Sequence, residues 1–188
     1  MEIRDIQSFL TYYENLRRRT MKVVACIPPE KIEWAYMPDK FTFGDILRHV
    51  AAIERYMYAE NAQLKPSRYP GHGEDLAVGY DATLQFFNRA HEESMAIFAS
   101  LTDADLQKEC LTPADAPIRV WKWLRTLAEH EIHHRGQLYV YLGVLGIAGP
   151  PLYGLTSEQV LERSLPIVGE QLDADAGYQG ISAGQGKA

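Results

Sequence analysis

The 188-residue sequence predicts an all-α fold, a four-helix bundle with long crossover loops and a short extra C-terminal helix. Four segments repeat apolar residues at spacings of three and four, the period of a single buried helix face. The connectors between the first three are long and rich in Pro, Gly and aromatic residues, and no segment shows a useful run of strand-like alternation. The length suits one domain with a proper hydrophobic core, assigned to residues 1–165, followed by a flexible Gly-rich tail over 166–188 that ends GYQGISAGQGKA.

The first segment, Ile3 to Ala25, places Ile6, Phe9, Leu10, Tyr13, Leu16, Thr20, Val23 and Val24 on one stripe, and Pro28-Pro29 stops it. Arg17, Arg18 and Arg19 lie within this pattern, where a short basic run is expected on a solvated face. The connector IPPEKIEWAYMPDKFT carries Ile32, Trp34, Tyr36 and Phe41, which are expected to cap an open end of the bundle. Thr42 is the expected N-cap of the second helix, with Asp45 as its acidic first-turn partner. That helix, FGDILRHVAAIERYMYAENAQL, has the stripe Ile46, His49, Val50, Ile53, Tyr56 and Met57, so His49 points inward.

The stretch KPSRYPGHGEDLAVGY reads as a loop that leaves His72 exposed between glycines. Asp81 is expected to cap the third helix, whose stripe of Leu84, Phe87, His91, Met95 and Phe98 sets His91 at the core edge or at a subunit interface. The fourth helix is the longest, VWKWLRTLAEHEIHHRGQLYVYLGVL from Val120 to Leu145. Val120, Trp123, Leu124, Leu127, Leu138, Tyr141, Leu142 and Leu145 form its stripe, and His130 and His134 continue it. Thr156 and Gln159 make a capping box for a short helix through Arg163.

Charge and composition exclude several classes. The net charge is -6 and the basic residues are scattered, so there is no footprint for a nucleic-acid backbone. Cys26 and Cys110 form neither a disulfide framework nor a thiolate metal site, which fits a reducing cytoplasm. The N-terminal MEIRDIQSFL is not a secretory signal, and no segment approaches the roughly 18 apolar residues of a membrane helix. The expected protein is cytoplasmic, with neither nucleic acid nor membrane as partner.

His130 and His134 are four residues apart, so their Cβ atoms sit about 5–6 Å apart on one helix face and the imidazoles can converge. His49 from the second helix is the third candidate ligand. Three neutral imidazoles suit a divalent ion such as zinc, nickel, copper, manganese or iron, and leave coordination positions open for water or substrate, which implies catalysis. His130-Glu131-Ile132-His133-His134 also satisfies the HExxH string, in which Glu131 would be the general base of a metallohydrolase; alternatively Glu131 orients an imidazole. His133, rotated about 100° from His134, belongs at the surface or behind the ligands. Gly136 in mid-helix costs about 1 kcal/mol relative to Ala, which suggests close approach of another helix or a subunit. Gln137, one turn beyond both His133 and His134, is placed to hydrogen-bond a ligand or a metal-bound water.

An inward His in helix two followed by HxxxHRGQ in helix four, here His130 to Gln137, resembles the DinB/YfiT-like superfamily of metalloenzymes. The resemblance implies a four-helix bundle with an unusual crossover, a divalent metal held by His49, His130 and His134, and a homodimer. Some members are thiol S-transferases, which implies a low-molecular-weight thiol as a further cofactor. The expected function is a divalent-metal-dependent enzyme, a thiol S-transferase or hydrolase acting on a small electrophilic substrate. The alternatives are a non-catalytic metal-binding stress-response protein and an HExxH-type metallohydrolase using Glu131.

Overall fold

Asp5 is extended, and its carboxylate accepts the Ser8 amide at 2.7 Å, satisfying a donor that the first helical turn leaves over; α1 then runs over Ile6–Val24. The structure is a computed structural model and describes residues 2–164. Thr42 caps the second helix as expected: its hydroxyl accepts from the Asp45 amide at 2.9 Å while the Asp45 carboxylate accepts from the Thr42 amide at 2.9 Å. This helix, α2, is α-helical over Phe43–Ile53, passes through a π-helical turn at Glu54–Tyr58 and closes over Ala59–Ala62. A π turn re-aims the residues around it. Here Glu54 is fully buried.

Helix α3, Gly79–Ala99, starts earlier than the sequence suggests, because Gly79 takes a left-handed φ of +78° that turns the chain into it. Asp81 therefore does not cap the helix. It lies inside the first turn, where its charge complements the exposed amides. Helix α4 spans Val120–Val144. Just before it the chain folds into a hairpin that periodicity did not reveal, with β1 (Glu109–Leu111) antiparallel to β2 (Pro117–Arg119) and Cys110 opposite Ile118. Strands of three residues are too short for alternation to register.

Helix α1 packs on α3 and α4, and α2 packs on the same two. The core gathers Phe9, Tyr13 and Leu16 of α1, Met57 and Tyr58 of α2, Phe98 of α3, and Leu124 and Leu127 of α4. The expected stripes account for these residues. They do not account for Arg17, which was expected on a solvated face and is only 4% exposed. Its guanidinium lies 4.1 Å over the Phe87 ring and is paired with the buried carboxylates of Glu54 and Glu131, which offsets part of the cost of burying the charge.

One compact unit covers Met1–Pro150, and a second begins at Pro151. In the second, residues 157–164 are helical and open with the expected capping box, Thr156 donating its amide to Gln159 Oε1 at 2.9 Å and receiving the Gln159 amide at 3.3 Å. The tail expected over 166–188 lies outside the described residues. Among the described residues no helix is long and apolar enough to cross a membrane.

Candidate metal centre

Helix α2 presents His49, and one face of α4 presents His130 and His134. The structure brings the three together: one ring nitrogen from each lies within 4.8 Å of the others. The closest pair is His49 Nε2 and His130 Nε2 at 3.1 Å. The rings of His49 and His134 are 4.8 Å apart, and those of His130 and His134 4.5 Å, all strongly tilted, so they meet edgewise around a point instead of stacking. Burial, followed by the His134 ring, lowers His49 to about 4, and burial followed by the His134 and His49 rings lowers His130 to about 3. Burial also lowers His134, against the opposing pull of its Gln137 hydrogen bond. Neutral imidazole is the form that ligates a metal.

The outward nitrogen of His134 is held by a chain of hydrogen bonds whose direction follows from its end, whereas His130 Nδ1 is buried without a hydrogen-bond partner. The carbonyl of Phe41 can only accept, so Tyr141 Oη donates to it, at 2.9 Å. That hydroxyl must then accept from Gln137 Nε2, at 3.3 Å, which turns Gln137 Oε1 toward His134 Nδ1 at 2.9 Å. An amide oxygen also only accepts, so His134 carries its proton on Nδ1 and keeps its Nε2 lone pair free. This is the role Gln137 was expected to play, and it fixes a ligand's tautomer through its outer nitrogen.

His49 is held from the other side. Its Nδ1 lies 2.8 Å from Tyr69 Oη, and Tyr69 Oη lies 3.3 Å from His72 Nδ1. A metal ion on His49 Nε2 would leave Nδ1–H to donate to the tyrosine, whose own proton would then be free for His72. His72 was expected to be exposed. Instead it is half-buried, its ring 4.2 Å from that of Phe41 and 6.1 Å from that of His49, because the loop after α2 folds back over the site.

Arg48 explains that fold. It is fully buried beside His49, and its guanidinium grips Glu33 through two contacts of 2.8 and 2.9 Å and Asp45 at 2.8 Å. It also donates to the carbonyls of His72 at 2.9 Å and Ala77 at 3.0 Å. Both long connectors are thereby tied to the helix that carries His49. Gly44, one turn before Arg48, makes this possible, since a Cβ there would fall 2.9 Å from both Arg48 Nη1 and Glu33 Oε1. Periodicity alone missed Arg48, Tyr69 and His72. The available signal was Glu33, Gly44 and Asp45, a glycine and two carboxylates around one inward-facing arginine.

The remaining candidates fall elsewhere. Glu131 is fully buried and turned onto Arg17, 3.2 Å away, outside the three-histidine group. His133 is exposed, its ring 5.0 Å from that of His134. His91 is buried at the expected core edge, with Nδ1 2.8 Å from Glu54 and Nε2 3.3 Å from Glu14. Gly136 is exposed and an added Cβ would meet nothing within 4 Å, so no helix among the described residues makes the close approach expected there. Beside His134 and Gln137 opens a cavity of about 350 Å³ walled by Tyr36, Phe41 and Tyr141, with Asp39 and Lys40 at its rim.

Comparison with known proteins agrees with this architecture. The family model described as the DinB superfamily matches residues 12–138, a span that contains all three histidines. A solved DinB-like protein from Bacillus cereus ATCC 10987 superposes with a TM-score of 0.64 at 20% identity, covering 80% of this chain and 99% of that one. A second DinB-like protein (YjoA), from Bacillus subtilis, gives a TM-score of 0.64 at 18% identity, covering 78% and 97%. At such identities the likeness is one of fold. No curated protein matches the chain.

Proposed function

We propose that this chain, which belongs to the DinB superfamily, binds a divalent cation through His49, His130 and His134 and uses it to activate a thiol or a water toward a small electrophilic substrate. The observation that carries this reading is the convergence of three neutral imidazoles beside a cavity. The donor set fits the ion: each ring is in its ligating form, and the outer nitrogens of His49 and His134 are already engaged. Three protein ligands leave room for a further donor, and the ion would supply Lewis acidity that lowers the pKa of a thiol or water and polarises an electrophile.

The chain's own residues supply the rest. Tyr36, Phe41 and Tyr141 line this open cleft with aromatic surface against which a small substrate can pack. The Tyr69 hydroxyl, between His49 Nδ1 and His72 Nδ1, is the nearest hydrogen-bonded place to hold or pass a proton. Glu131 enters this reading as a partner of Arg17 and not as the base of an HExxH hydrolase. A low-molecular-weight thiol as co-substrate and a homodimer belong to the same proposal.

The deciding experiment measures metal content by mass spectrometry on tag-free protein, for wild type and for His49→Ala, His130→Ala and His134→Ala. Near-stoichiometric metal in the wild type, lost in all three variants, is expected, and thiol-conjugation and hydrolysis screens of the loaded protein then divide the two chemistries. A wild type that takes up neither Zn²⁺, Ni²⁺ nor Mn²⁺ sinks the proposal. Stoichiometric metal without turnover in either screen would favour the non-catalytic metal-binding alternative.

A further inference from the structure

Arg17 belongs to α1, which carries none of the three histidines. Its side chain crosses the core and is paired at once with Glu54, in the π turn of α2, and with Glu131 of α4, 3.2 Å away. Glu54 lies five residues after His49, and Glu131 is the neighbour of His130. One guanidinium therefore ties together, from inside the bundle, the two helices whose rotation and register decide whether His49 meets His130. Phe87 of α3 underlies it at 4.1 Å, and Tyr13 and His91 close the surroundings, with His91 Nδ1 2.8 Å from Glu54.

The electrostatics hold the arrangement in one state. Burial would pull the Arg17 cation down, but the Glu131 and Glu54 carboxylates reverse this and hold it above its ordinary value. Burial, followed by those carboxylates, raises Tyr13 well above the usual phenol range, so it stays a neutral neighbour. Stability alone does not explain such a cluster, because replacing a buried ion triad with apolar side chains is often neutral or stabilising. Both carboxylates meet the same nitrogen, Nη2, so a single buried cationic point joins α2 to α4, a directed link that an apolar side chain does not make.

We infer that Arg17, with Glu54 and Glu131, is a positioning device that sets the register of α2 against α4 and so the geometry of the three-histidine centre. The inference rests on the metal-binding reading above. Because of that dependence, the test separates folding from metal geometry. The full chain is prepared metal-free as wild type, as Arg17→Lys, and as the triple variant Arg17→Met, Glu54→Leu, Glu131→Leu. Thermal unfolding is recorded without metal, and Co²⁺ is then titrated while its visible absorption spectrum is followed.

The triple variant is expected to fold with an unfolding temperature near or above that of the wild type, yet to bind Co²⁺ at least about tenfold more weakly with a shifted absorption band, the scale typical of losing groups that orient ligands. Arg17→Lys keeps the charge on a shorter side chain that cannot place it where Nη2 meets both carboxylates, and should shift the band in the same direction. A folded triple variant with wild-type affinity and spectrum overturns the inference. If the triple variant does not fold, Arg17→Lys decides in the same way, an unchanged spectrum overturning and a shifted one supporting. A wild type that binds no Co²⁺ overturns the metal reading and this inference with it.

Discussion

His49 Nε2 and His130 Nε2 stand 3.1 Å apart, although 81 positions separate the two residues in the chain. Two imidazoles this close cannot both be protonated without strong repulsion. Burial, with the neighbouring rings, lowers His49 to about 4 and His130 to about 3, against about 6.5 in an unfolded chain. Between those values the unfolded chain binds more protons than the folded one, so the metal-free protein is at full stability above about pH 6.5 and loses it as pH falls toward 4. Urea unfolding in EDTA at pH 7.5, 6 and 5 should show falling midpoints, with a shallower decline in His130→Leu. Equal midpoints across that range would contradict the depressed values.

Gln137 holds His134 in the tautomer that frees Nε2, and Tyr141 holds Gln137. Gln137→Ala is expected to weaken metal affinity about 10–100-fold, the usual scale for a group that orients a ligand. Tyr141→Phe removes the hydroxyl at the end of the chain and should shift affinity in the same direction by less. Competition with a chromophoric chelator measures both, and an unchanged Gln137→Ala affinity would show that the tautomer does not depend on the amide.

Tyr69 stands between His49 and His72. His72→Ala should keep stoichiometric metal, because His72 is outside the group of converging nitrogens, whereas His49→Ala should lose it. Once a turnover assay exists, His72→Ala and Tyr69→Phe should lower kcat more than they change metal content. Loss of metal from His72→Ala would make that histidine a fourth ligand.

Two glycines should respond in opposite directions to alanine. At Gly44 the new Cβ would fall 2.9 Å from Arg48 Nη1 and from Glu33 Oε1, so the variant should lose about 1–3 kcal/mol. At Gly136 the Cβ meets nothing within 4 Å, and the variant should gain up to about 1 kcal/mol from helix propensity. In a chain of 188 residues each kcal/mol moves the unfolding temperature by about 2–4 °C, which calorimetry resolves. Destabilisation by Gly136→Ala would instead fit a second subunit packed against that face.

The sequence determined what local patterns can determine. The period of three and four exposed the four helices and turned His49, His130 and His134 inward, and Thr42 with Asp45 marked the start of α2 through chemistry confined to one turn. It also set Gln137 one turn beyond His134, close enough to reach it. Tertiary structure alone decided what depends on partners distant in sequence. Arg17 looked solvated until the carboxylates of Glu54 and Glu131, 37 and 114 positions away, made its burial affordable. His72 looked exposed until Arg48 gripped its carbonyl from 24 positions away and drew the loop onto Phe41. Periodicity reports which face of an element is buried, and only the packed chain decides which charges meet there, because a buried ion depends on its neighbours and not on its place in a repeat.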